Sequence, residues 1–328
     1  MSSTEEWLLK NFNLSGVQKI SSSGINSELF LCKGQSIFIA KKFANDKESL
    51  DRLNREKCFL SFSNTVSPGF TPKLYEVHEE KSLILMEYFS GSPYKETKNI
   101  TNHELGRTLE FLSLLNQNKS IGKIQIPNKA KDSFEKIDTY FELINNRISC
   151  FTLNHLKKYN VKDIESCHKL LTSTWNRVKK LTFNIENNNT SNYCEQIISP
   201  SDFGFHNAIK TTSGVVFIDF EYSGWDDPAK LVIDFFLQPG IPIPKTWIPQ
   251  VIGKIEKISS VPNIVERVRI LTPLFKIKWA CIILNFLEER KFNRFLEFKH
   301  FDNIADEINN RVGLVANYLK WEKIFDLR

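Results

Sequence analysis

The hydrophobic period of this chain changes near Gly91, and that change limits the folds open to it. Before Gly91, short apolar runs at 28–33, 36–43, 73–78 and 82–88 read as strands, with Gly34-Gln35 and Glu79-Glu80-Lys81 as turns between neighbours. One helix, 47–62, interrupts them, with Leu50, Leu53 and Leu60 on one stripe. After Gly91 the period becomes helical. Thr101-Asn102-His103-Glu104 is a capping box, followed by Leu105, Leu109, Leu112 and Leu115 at helical spacing. Further helices are expected at 131–148, 162–181, 227–238, 264–290 and 303–325, with a strand-rich patch only at 196–219 and a polar loop at 187–192. The pattern predicts an α+β, bilobal chain. A small β-rich N-terminal lobe, 1–90, is joined to a larger, mainly helical C-terminal lobe, 91–328, and ligands commonly bind where two such lobes meet.

The patch at 196–219 carries the chemistry. Ser199-Pro200-Ser201-Asp202-Phe203-Gly204-Phe205-His206-Asn207 leads to Val216-Phe217-Ile218-Asp219-Phe220-Glu221. An Asp is followed five residues later by an Asn, and twelve residues after that by a second Asp at the end of an apolar strand. Phosphoryl transfer from ATP needs such a set. One carboxylate orients and deprotonates the attacking hydroxyl, while an amide and a second carboxylate hold Mg2+ against the triphosphate. Asp202 takes the role of base, and Asn207 and Asp219 those of metal ligands. His206 is as well suited to a structural hydrogen bond as to a catalytic one. Asp227-Pro228 reads as a helix start, with Asp at the N-cap and Pro at N1.

A cation for the phosphates is sought in the strand 36–43, which offers Lys41 and Lys42. Parity does not choose between them, because Lys41 shares a face with Ile37, Ile39 and Phe43 and Lys42 shares one with Phe38 and Ala40. Glu56 lies three residues after Leu53 and four before Leu60, on the buried stripe of the following helix. A carboxylate there is costly unless paired, and a strand lysine is the obvious partner. Ser21 to Ser27, with Ser23 and Gly24 at its centre, could lay backbone N–H groups over phosphates, although a plain turn has the same composition. The link Glu87-Tyr88-Phe89 sits where a kinase hydrogen-bonds adenine through its backbone. Lys278 and Asn285, two turns apart on a nearly apolar helix, either satisfy buried groups or line a site.

Other classes are disfavoured. No apolar run approaches the roughly 20 residues that span a bilayer, and the N-terminus lacks a signal-peptide pattern, so a cytoplasmic protein with no membrane partner is expected. The net charge of +6 is modest and the basic residues are dispersed, which argues against nucleic acid. The six cysteines show no CxxC pair and read as reduced.

Asp202-x4-Asn207 with Ile218-Asp219-Phe220-Glu221 resembles the aminoglycoside phosphotransferase and choline kinase-like family of small-molecule kinases, which share the protein-kinase-like fold. The lysine strand, Arg52-Leu53-Asn54-Arg55-Glu56 and the hinge follow in the family's order, so the likeness covers about 20–240. In that family the strand lysine is commonly followed, one residue on, by an aromatic; Lys41-Lys42-Phe43 fits with Lys41 as the phosphate lysine. The resemblance implies ATP and Mg2+ as cofactors and a small-molecule hydroxyl as acceptor, of sugar, amino alcohol or aminoglycoside type. It makes Glu221, Trp225, Lys278 and Asn285 candidates for contacting that acceptor, with Trp225 and Trp279 equally suited to a core or cleft wall. Two features depart from the family: Pro200-Ser201 stands where His-Gly is usual, and the phosphate loop is poor in glycine. They motivate an alternative, a pseudokinase that binds nucleotide or a partner without turnover. A protein kinase is disfavoured, because only eight residues separate Asp219 from Pro228 and no Arg precedes Asp202.

Overall fold

The computed structural model describes residues 3–20, 26–134, 136–159, 161–186, 195–259, 261, 263–298 and 304–319. The central part of the expected phosphate loop, including Ser23 and Gly24, lies outside them, as does the polar loop at 187–192. Contacts group the chain into two compact units. The first comprises Met1–Lys131, Ile197–Asp226 and Pro239–Ile243, and the second comprises Asp132–Gln196, Asp227–Gln238 and Pro244–Arg328. The architecture is α+β, with an antiparallel N-terminal sheet and a helical C-terminal part.

In the first unit, α1 (Ser3–Asn11) precedes strands β1 (Leu14–Ile20), β2 (Ser27–Gly34) and β3 (Ile37–Phe43). Helix α2 (Lys47–Val66) follows, then β4 (Leu74–His78) and β5 (Leu83–Glu87). All five strands pair antiparallel in the order β1-β2-β3-β5-β4. The pleat separates the two faces of β3. Phe38 and Ala40 pack with Leu8, Phe30, Cys32, Leu83 and Leu85. Ile39 and Phe43 pack with Leu53, Ile84 and Met86 on the face that α2 covers. Lys41 shares that second face; Lys42 turns to the Lys81 carbonyl at 2.7 Å. Asp46 caps α2 through the Ser49 N–H at 2.9 Å. Helix α1 and strand β1 were not expected. In β1, Leu14-Ser-Gly-Val-Gln-Lys-Ile lies at a sheet edge with no fully buried residue, so it carries little period-two signal.

The rest of the first unit holds β6 (Ser92–Pro93), α3 (Asn102–Gln117), α4 (Lys119–Gln125), β7 (Ile197–Ser199), β8 (Ala208–Thr211), β9 (Gly214–Phe217) and β10 (Gly224–Asp226). β6, β8 and β9 form one small sheet, and β7 pairs with β10. The capping box of α3 is present, with the Thr101 N–H donating to Glu104 at 3.0 Å. A ring cluster fills the space behind the acidic patch. Phe111 stacks on Phe70 and Phe217 with centroids at 5.4 and 5.3 Å, Phe203 lies 4.7 Å from Phe217, and Phe59 stacks on Phe220 at 4.5 Å. Each such pair contributes about 0.5–1.5 kcal/mol beyond its buried area.

The second unit comprises α5 (Ile137–Ser149), α6 (Ile164–Glu186), α7 (Pro228–Leu237), α8 (Ile248–Ser259), α9 (Ile264–Ile283), α10 (Glu289–Phe298) and α11 (Ile304–Tyr318). Asp227 caps α7 by accepting from the Ala229 N–H at 2.9 Å, with Pro228 at the first helical position. The same carboxylate accepts from Arg267 Nη2 at 2.7 Å and Nε at 2.9 Å, both residues being buried. The helix expected over 264–290 is two helices. Thr152 N–H and His155 Nε2 donate to the carbonyls of Leu287 and Phe286 at 2.8 Å each, and a 3-10 turn, Asn285–Leu287, replaces the α-helical ladder.

Candidate active site

The Asp202 segment is shaped by two backbone features. Ser201 has φ +69°, a left-handed conformation that is rare for a residue with a Cβ, and its N–H donates to Ser199 Oγ at 2.9 Å. The Phe203 N–H then donates to the Ser201 carbonyl at 2.7 Å, which makes a tight reversal around Asp202. Phe203 and Phe205 are buried in the ring cluster, while Asp202 between β7 and β8 stays half-exposed. His206 Nε2 lies 3.1 Å from Asp202 Oδ1. Asn207 Nδ2 donates to the Asp202 carbonyl at 2.9 Å and lies 3.4 Å from Oδ2. The three polar side chains of the motif therefore meet. The Asn207 carbonyl accepts from the Ile218 N–H at 2.9 Å, which ties this turn to the residue before Asp219.

Asp219 also has φ +69°. An Asp in this region is tolerated at a cost of order 1 kcal/mol and is worth a functional explanation. Ile218 leads out of β9, Phe220 is buried against Phe59, and the Asp219 side chain remains 41% exposed. Lys41 Nζ donates to Asp219 Oδ1 at 2.7 Å and to Glu56 Oε2 at 2.5 Å. Lys41 is 4% exposed and Glu56 1%. Of the two lysines that parity left open, Lys41 is the one on the α2 face and the one joined to Glu56.

Burial works against the Lys41 ammonium, but the carboxylates of Asp219, Glu56 and Glu221 outweigh it and hold its pKa above the ordinary lysine value. Burial also pushes the Glu56 carboxyl up to about 7; Lys41 pulls it down, and Asp219 and Glu221 add to the rise. Glu221, 4% exposed, is raised by burial and by Asp219. Three carboxylates thus surround one ammonium, and the cluster carries excess negative charge.

Sequence reasoning missed two residues of this cluster. Asn26, just before β2, donates from Nδ2 to Glu221 Oε1 at 2.6 Å and to the Tyr222 hydroxyl at 2.8 Å. Arg52, one turn before Glu56, lies over the Tyr222 ring at 5.8 Å. A polar residue in a turn gives no local sign of a partner 195 positions away; the only available signal was that Glu221, in an otherwise apolar run, needs a donor.

The remaining candidates fall as follows. Glu87 ends β5, where its carboxylate accepts from the Lys73 N–H at 3.1 Å; Tyr88 is exposed and Phe89 half-buried. Trp225 lies in β10 and donates to the Ile126 carbonyl at 2.9 Å. In the second unit Lys278 Nζ donates to both Asp234 oxygens at 2.8 Å, and Trp279 Nε1 donates to the same carboxylate at 2.7 Å. Burial lowers the Lys278 pKa even against Asp234. Asn285 lies in the 3-10 turn beyond α9, 3.5 Å from Arg311 Nη1, so it no longer shares a continuous helix face with Lys278. Among the described residues no group of three or more His, Cys, Asp or Glu side chains is arranged to hold a metal ion, and no helix is long and apolar enough to cross a membrane.

No protein-family model matches this sequence, and neither does any curated protein. The structure defines a class all the same: the chain has the kinase-like fold seen in choline kinases and aminoglycoside phosphotransferases. It is similar to choline kinase LicA from Streptococcus pneumoniae, at 17% identity and TM-score 0.59, over 96% of this chain and 97% of that one. It is also similar to APH(2")-IIa in its gentamicin complex, at 17% identity and TM-score 0.60 over 94% and 95% of the two chains. ADP-bound aminoglycoside phosphotransferase APH(2'')-Ib matches at 15% identity and TM-score 0.59 over 98% and 100%. At these identities the likeness is one of fold.

Proposed function

We propose that this protein is a small-molecule kinase that transfers the γ-phosphoryl group of ATP to an acceptor hydroxyl. The observation that carries the proposal is Lys41 joined to both Glu56 and Asp219 within one unit that also contains the Asp202–His206–Asn207 turn. A kinase-like fold alone leaves the chemistry open; a buried lysine shared between a helix carboxylate and the carboxylate that follows β9 is suited to positioning phosphates.

In this reading Asp202 orients the acceptor hydroxyl and takes its proton. The acceptor oxygen bonds to the γ-phosphorus as the bond from that phosphorus to the β,γ-bridging oxygen breaks, and ADP leaves. His206 holds the Asp202 carboxylate. Lys41, kept in place by Glu56, places its charge against the phosphates. Asn207 and Asp219 would hold Mg2+. Asn207 commits its nitrogen to Asp202 and has its amide oxygen left to offer, and Asp219 offers a half-exposed carboxylate in a cluster with surplus negative charge, the oxygen donors and charge balance that this cation takes. Bound there, Mg2+ supplies neutralisation of the triphosphate charge. Residues 1–90, with the loop around Ser23 and Gly24 and the Glu87–Phe89 link, are assigned to nucleotide binding. Residues 91–328 are assigned to catalysis and the acceptor, with Glu221, Trp225, Lys278 and Asn285 as its candidate contacts. The similar folds, which include a choline kinase and a gentamicin-bound phosphotransferase, support this reading of the acceptor class.

The test is Mg2+-dependent ADP release from ATP with a panel of amino alcohols, sugars and aminoglycosides. Turnover with one of them, lost in Asp202→Ala, is expected. Nucleotide binding with no turnover on any acceptor favours the pseudokinase reading that Pro200-Ser201 motivates.

A further inference from the structure

Glu221 is buried, yet among the described residues no lysine or arginine lies within ion-pair distance of it: the Lys41 ammonium is committed to Glu56 and Asp219. The carboxamide of Asn26 donates to Glu221, and the Tyr222 hydroxyl also hydrogen-bonds it. Both hydrogens of that amide are used, one on Glu221 Oε1 at 2.6 Å and one on the Tyr222 hydroxyl at 2.8 Å. The two contacts fix the amide plane, and with it the direction in which Glu221 points. Tyr222 is held in turn beneath the Arg52 guanidinium, and its carbonyl accepts from the Lys131 N–H at 2.9 Å. Asn26 is the first described residue after 21–25, the segment that joins β1 to β2. The end of that connection is therefore pinned to the acidic run two residues beyond Asp219.

We propose that Asn26 is a positioning residue for the acidic cluster: by holding Glu221 and Tyr222 together, it fixes the Glu221 carboxylate beside Asp219 and so sets the affinity of the site for a divalent cation and its nucleotide. The inference rests on the phosphotransferase reading and adds a residue to it. Asn26 touches neither reacting atom in this scheme; it acts through Glu221. Hydrogen-bond partners of metal-binding groups typically alter metal affinity about 10- to 100-fold when removed, and for Asn26, which acts one contact further out through Glu221, that range is the upper limit.

The experiment is calorimetric titration of Mn2+, as the probe cation, into the full chain in the presence of ADP, for the unsubstituted protein, Asn26→Asp and Asn26→Ala, with a thermal melt of each metal-free protein. Asn26→Asp keeps the shape, removes the donors and adds a charge facing Glu221. Asn26→Ala, which removes the donors without adding charge, is expected to weaken Mn2+ binding by up to about 10- to 100-fold, with Asn26→Asp between it and the unsubstituted protein because its added carboxylate attracts the cation. If Asn26→Asp does not fold, Asn26→Ala decides. Lower melting temperatures with unchanged Mn2+ affinity would make Asn26 merely structural and overturn the inference while leaving the kinase reading intact. An unsubstituted protein that binds no Mn2+ with ADP overturns both.

Discussion

Lys41→Met tests the charge cluster most directly. The ammonium lies 2.5 Å from Glu56 and 2.7 Å from Asp219, and Lys41 and Glu56 are nearly inaccessible to water. Removing one partner of a buried pair typically costs 3–5 kcal/mol, because the remaining charge is left uncompensated. Two carboxylates that both touch one nitrogen are at most about 5 Å apart, and at an effective dielectric of about 20 their repulsion, once the ammonium is gone, is about 3 kcal/mol. The variant escapes this cost only by protonating Glu56. That carboxyl already titrates near 7 rather than at its ordinary 4.5, because of its burial. A folded value above the unfolded one means that the stabilisation is complete below pH 4.5 and is lost as pH rises through the folded value. The unsubstituted protein should therefore shed up to about 3 kcal/mol between pH 5 and 8. In Lys41→Met the folded value moves higher still, so the loss begins from the same lower limit but continues to higher pH. Urea unfolding followed by circular dichroism at pH 5.5, 7.0 and 8.5 reads both curves. The gap between the proteins should be about 3–5 kcal/mol at pH 8.5, shrink at pH 5.5, and largely close in Lys41→Met with Glu56→Gln. A Lys41→Met protein as stable as the parent at pH 8.5, or a gap that ignores pH, refutes the reasoning.

Three other outcomes are expected. Asp202→Ala should lower turnover about 100- to 10,000-fold while costing under about 1.5 kcal/mol of stability, since its carboxylate is half-exposed; comparable losses of fold and rate would contradict its role as base. Ser201→Val should be about 2 kcal/mol less stable than Ser201→Gly, since both lose the hydroxyl and only glycine escapes the left-handed strain; equal denaturation midpoints would exclude strain at this position. Asp227→Ala should cost about 3 kcal/mol in urea unfolding, because it removes the carboxylate that accepts from the buried Arg267 and uncaps α7, and a loss below about 1 would refute the pairing.

Much of the acidic patch was legible because its chemistry dictates residue type and spacing within one short stretch. Glu56 was legible for a different reason: a carboxylate on an apolar stripe demands a partner. The choice between Lys41 and Lys42 was not legible from parity, since both faces of β3 are apolar and only the packing of α2 decides which one holds the ion pair. The end of α9 was equally hidden, because it is set by donors at 152 and 155 that take the carbonyls of 286 and 287. Asn26 and Arg52 escaped notice for the same reason: their partners are distant in sequence. Strand β1 was missed because an edge strand need not alternate.

The run from Asp219 to Asp226 is fastened along its length. Ser223 N–H closes a turn onto Phe220, β10 zips onto β7, Trp225 exchanges hydrogen bonds with Asn128 and Ala130, and a Cβ on Gly224 would meet the Asn128 carbonyl at 2.5 Å. Protein kinases throttle themselves by letting the corresponding stretch swing out until a phosphate calls it back. A segment stitched at every second or third residue has little slack to swing, so in this chain the stretch is held in one place by its own packing.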